Sequence, residues 1–89
     1  MANKRSLKHA INLICEELFA EAVAASLYGN ELNNDNADAV LSSIIRLQAD
    51  YISRISHVEP GMKAKLYFKN LREKFSAEAE EIVDQINNL

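Results

Sequence analysis

The sequence predicts an all-α domain: an up-down-up three-helix bundle of long helices that associates with copies of itself. Three observations carry this expectation. Apolar residues recur at steps of three and four along most of the chain, which is the helical period. Alternation of period two, the mark of a half-buried strand, appears nowhere. Gly29, Gly61 and Pro60, the only glycines and the only proline, cut the 89 residues into three long parts.

The first helix is expected over 6–28. Leu7, Ile11, Ile14, Leu18, Ala22 and Ala25 share one face, and Ala20, Ala22, Ala24 and Ala25 favour helix and allow close approach. Gly29-Asn30 supplies a left-handed stop. The polar stretch from Asn30 to Asn36 is turn chemistry, and Asn34, Asp35 or Asn36 is suited to cap the next helix.

The second helix is expected over 37–56. Ala37, Leu41, Ile44, Gln48, Tyr51 and Ile55 form its stripe, and Val40, Ile45, Leu47 and Ile52 widen it. So wide an apolar arc predicts the most buried of the three helices.

His57-Val58-Glu59-Pro60-Gly61 breaks the chain, and proline suits the first turn of a new helix. The third helix is therefore expected over 60–88. Ala64, Phe68, Leu71, Phe75, Ala79, Ile82 and Ile86 line one face, and Ser76 is placed to cap a fresh segment after a kink. With no linker or repeat to divide the chain, residues 1–89 form one domain, and short connections favour antiparallel neighbours. At about 1.5 Å per residue, the third helix would reach roughly 43 Å against roughly 35 Å for the first. The difference predicts an overhang and a self-association surface at Phe75, Ile82, Val83, Ile86 and Leu89, because exposed apolar patches mark contacts.

Composition narrows the class further. Hydrophobic content of 48% and charged content of 26% are those of a globular domain. The lone Cys15 excludes an internal disulfide. Lys8, His9 and Asn12 interrupt the apolar run after the charged start, so no signal peptide is expected. No stretch approaches the roughly 18 apolar residues of a membrane span. A reduced cytoplasmic protein without a membrane role is the expectation.

Net charge is only −3, yet its layout is uneven. No Lys or Arg lies between Lys8 and Arg46, and none follows Lys74. Folded up-down-up, one end gathers Lys4, Arg5, Lys8, Arg54, Lys63 and Lys65. The other gathers Glu21, Glu31, Asp35, Asp38, Glu78, Glu80, Glu81 and Asp84. The bundle becomes a dipole along its axis. An antiparallel homodimer would set each basic end beside an acidic end. Alternatively, Lys4, Arg5, Lys8, Lys63 and Lys65 dock an anionic partner. An undirected scatter of surface charge is the plainer explanation of the same pattern.

Chemistry is sparse. His9 and Cys15 are six residues apart, about 240° around a helix, so they share no face. Neither Cys-x-x-Cys, His-x-x-x-His nor Glu-x-x-His occurs, which leaves a metal site without its ligand spacing. Cys15 sits beside Glu16 and Glu17, and acids raise a thiol pKa, so a core cysteine is expected rather than a nucleophile. Glu17 and Glu21 lie four apart, the spacing of an exposed acidic face. Two isolated glycines make no phosphate loop. Between Met62 and Lys74, five basic residues flank Tyr67 and Phe68, a weak nucleic-acid signal, since Phe68 falls on the core stripe. Tyr28, Tyr51 and Tyr67 are expected to pack rather than to line a pocket.

Lys4-Arg5-Ser6-Leu7-Lys8 followed by Ile11-Asn12-Leu13-Ile14-Cys15-Glu16-Glu17-Leu18-Phe19-Ala20-Glu21 resembles the start of a family of short uncharacterised helical proteins from Bacteroidetes. The resemblance spans about a quarter of the chain. It implies a small cytosolic α-helical protein and supplies no catalytic residues. The functional expectation is a non-enzymatic interaction module without cofactor, homodimeric through its third helix. The alternative is a regulator using its basic end on an anionic partner, nucleic acid included.

Overall fold

The computed structural model describes residues 4–28, 34–58, 61 and 63–89. Three α-helices follow one another: α1 (Lys4–Tyr28), α2 (Asn34–Ser56) and α3 (Ala64–Asn87). All three pack together, with α1 most closely on α2. Cross-helix contacts fix the directions. Gln48 Nε2 donates to Asn12 Oδ1 at 2.8 Å, and Phe19 and Ala20, further along α1, share a groove with Ile44 and Ile45, earlier on α2, so α2 runs antiparallel to α1. Tyr51 meets Phe75 edge-to-face at 5.2 Å, and the Tyr67 hydroxyl donates to the Arg54 carbonyl at 2.8 Å, so α3 runs antiparallel to α2. The up-down-up bundle is elongated, 49 × 18 × 16 Å. Its radius of gyration of 14.7 Å exceeds the roughly 12 Å of a compact chain this long.

The core follows the helical stripes with local shifts. Leu7, Ile11, Cys15, Leu18 and Ala22 are buried on α1, so Cys15, and not the expected Ile14, holds the middle position. Steps of three and four from Ile11 both lead to an apolar residue, and the four-residue step faces the neighbours. On α2, Ala37, Val40, Ile44, Leu47, Tyr51 and Ile55 are buried. Leu41, Gln48 and Ile52 are half-buried, and Ile45 is exposed. Leu71, Phe75, Ile82 and Ile86 complete the core from α3, whose Ala64 is exposed instead of lining it.

Helix boundaries correct two expectations. α2 begins at Asn34, so the expected capping residues are already in its first turn. α3 begins at Ala64 rather than near Pro60. Gly61 takes φ +85°, a left-handed conformation that no α-helix continues through, and Lys63 is extended with no side-chain cap. α3 then runs unbroken through Ser76, without the expected fresh start. At its end, the Asn88 amide side chain donates to the Asp84 carbonyl at 2.9 Å. The expected stop at Gly29-Asn30, the loop through 33, Glu59, Pro60 and Met62 lie outside the described residues, as do the side chains of Tyr28 and Asn34.

The shorter third helix removes the length mismatch. α1 with 25 residues and α3 with 24 both measure roughly 36–38 Å. The predicted overhang is absent.

Candidate interaction face

The side of the α1–α2 pair that carries Phe19 and Ile45 holds an apolar groove of about 340 Å³. Its walls are Cys15, Glu16, Phe19 and Ala20 from α1, and Ile44, Ile45 and Gln48 from α2. Helical period explains the membership. Glu16, Phe19 and Ala20 flank buried Cys15 on one side, and Ile45 and Gln48 flank buried Ile44 in the same way. Phe19 is 37% exposed and Ile45 56% exposed, so covering them would remove much apolar surface from water. At 1.5–3 kcal/mol for a wholly buried side chain, finishing their burial contributes about 1 kcal/mol each. The Asn12–Gln48 hydrogen bond stands beside this groove as its polar marker.

Charges bracket the bundle. Lys4 and Arg5 are exposed and Lys8 half-buried at the start of α1. Lys63 and Lys65 are exposed at the start of α3, at the same end. Arg54, expected to join them, instead forms an ion pair with Asp50 at 3.1 Å and lies 4.8 Å over the Tyr51 ring. Asp35 and Asp38 are exposed at the opposite end, with Glu21 and Asp84 exposed towards it, whereas Glu78 and Glu81 lie mid-bundle beside Arg46 and Asp50.

The residues expected to form a self-association surface on α3 are mostly spent inside the chain. Phe75, Ile82 and Ile86 are 5%, 6% and 7% exposed and belong to the core. Leu89 packs partly against it, and Val83 alone among the five is exposed. Their contiguous outward face does not exist, because α2 covers the stripe that the overhang was meant to leave bare.

The remaining candidates do not converge. His9 and His57 are exposed, with the His57 Nδ1 2.9 Å from the Ser53 carbonyl. Among the described residues, no group of three or more His, Cys, Asp and Glu is placed to hold a metal. Cys15 is buried and free, and burial pushes its thiol above the ordinary 9.0. Glu17 and Glu21 are exposed. Lys63, Lys65, Lys69, Arg72 and Lys74 are exposed on α3 and its approach, but Tyr67 and Phe68 pack on the core and on each other at 5.6 Å. Both rings are half-buried, and their packing is spent within the chain.

Three features escape the sequence pattern. Tyr67 serves as a cap for the end of α2. Gln48 is a polar bond across helices, not a core position. Ile45 faces outward. The signal for the last was present: the apolar arc of α2 is wider than its two neighbours cover.

Among the described residues, no helix is long and apolar enough to cross a membrane. Comparison of the chain with protein-family models, with curated proteins and with solved structures gave no match.

Proposed function

We propose that the chain is a non-enzymatic helical interaction module that docks a partner on the α1–α2 face. One observation carries the reading: the groove at Phe19 and Ile45 is apolar and open, with both side chains more than a third exposed. Surfaces of that kind, rimmed by polar groups, are where protein partners bind. The buried, free Cys15 agrees with a reducing compartment, the cytoplasm.

Photo-crosslinking from position 45 tests the reading, with position 74 as the control. Purified protein and cell extract are both irradiated. A discrete protein adduct dependent on position 45 is expected. Equal labelling from both positions, or none from either, rejects an interaction role for this face.

A further inference from the structure

We infer that the occupant of the α1–α2 face is a second copy of this chain, laid antiparallel to the first. This rests on the interaction reading above and names its partner.

Area sets the first constraint. The apolar strip of α2 from Leu41 to Ile52 covers roughly 18 Å of helix, well under half the long axis of 49 Å. The whole α1–α2 face, roughly 37 Å long and 18 Å wide, is on the order of 670 Å², below the roughly 800 Å² that each partner contributes to a stable complex. The apolar strip by itself falls well short. A lasting interface must therefore run to the charged ends.

The ends then select the orientation. Measured from the middle of the groove, Lys8 and Arg5 lie roughly 14 and 19 Å towards one end. Asp38 and Asp35 lie roughly 12 and 16 Å towards the other. Arg5 and Asp38 fall on the same flanks of their helices as Glu16 and Ile45, the flanks that form the face. A parallel pair would place like charges together at both ends. A two-fold axis across the groove brings each basic end to an acidic end at nearly equal distances. Such an interface is isologous and closes on itself, the commonest form of homodimer.

Sedimentation equilibrium of the purified full chain tests this at low and high salt. A dimer that dissociates with salt is expected. Ile45→Glu should abolish it, and circular dichroism should stay helical because position 45 is exposed. The charge variants decide the orientation. Arg5→Glu with Lys8→Glu should raise the Kd about tenfold. Asp35→Lys with Asp38→Lys should do the same. All four reversals in one chain should restore the wild-type Kd. If the two-residue reversals leave the Kd unchanged, the antiparallel arrangement is wrong. A monomer throughout overturns the second-copy inference. If that monomer still forms an adduct with a different protein from position 45, the interaction reading survives; if it forms none, both fall.

Discussion

The Tyr67 hydroxyl donates to the Arg54 carbonyl at 2.8 Å, and that carbonyl is one of the last four of α2, which have no partner in their own helix. Tyr67→Phe leaves the acceptor short, so it should cost about 1 kcal/mol in urea unfolding. An unchanged midpoint would mean that water replaces the hydroxyl. Tyr51 is the opposite case. It is wholly buried, yet its hydroxyl makes no hydrogen bond, although the Glu78 carboxylate is near enough to act on it. Tyr51→Phe deletes a desolvated polar atom and keeps the ring contact with Phe75. It should be neutral or stabilise by up to about 1 kcal/mol. A clear loss would show that Glu78 accepts from Tyr51 in solution. Titration adds an independent check. Burial, aided by Glu78, raises the Tyr51 phenol above its ordinary 10.0, and burial raises the Cys15 thiol above 9.0. The folded chain holds these protons where the unfolded chain releases them. Their stabilisation is complete well below pH 9 and declines as pH rises past 9 for Cys15 and past 10 for Tyr51, up to each group's raised folded value. Melting curves between pH 8 and 11 should fall for the wild type and fall less steeply for Tyr51→Phe. Superposable curves would mean that the Tyr51 phenolate is solvated in the fold.

Elements explain why some of this was legible in advance and some was not. The helical period alone locates three helices and most of the core, because each stripe is long and no strand pattern competes. Its phase is less certain where apolar residues stand side by side: Ile14 and Cys15 both continue the α1 stripe, and only the placement of α2 and α3 decides between them. Boundaries failed where a local signal was overruled. Pro60 is good helix-start chemistry, but Gly61 at φ +85° postpones α3 by one turn, and the imagined overhang vanishes with it. The later start has a measurable consequence. Ile82→Ala should cost about 2–4 kcal/mol at every protein concentration, because Ile82 fills this chain's own core. Val83→Ala, one residue along and exposed, should stay within about 0.5 kcal/mol. If the Ile82 penalty shrinks on dilution, α3 contributes to an interface after all. The Asn12–Gln48 bond was hidden for another reason: Gln48 sits on the apolar stripe, and its partner 36 positions earlier is visible only once the helices are docked.

For the whole molecule, the charge layout works against the helices that carry it. Negative groups favour a helix start and positive groups its end. α2 obeys, with Asp35 in its first turn and Arg54 in its last. α1 and α3 have no acid in their first turns and no base in their last, and α1 opens on Lys4, Arg5 and Lys8. Each misplaced charge costs a few tenths to about 1 kcal/mol when exposed. The acidic end adds repulsion among its own members. Within one chain the layout is therefore a loss; in an antiparallel pair, the same charges attract. Salt separates the two effects. Raising ionic strength from about 0.01 to about 0.3 M shrinks the Debye length from roughly 30 Å to under 10 Å. Dilute, monomeric protein should then gain in melting temperature, because the repulsion and the unfavourable dipole contacts are screened. Concentrated protein should gain less or lose, because the contacts between copies weaken as the monomer is relieved. Identical salt responses at both concentrations would mean that the charges act within the chain alone, and that the second copy is not what offsets their cost.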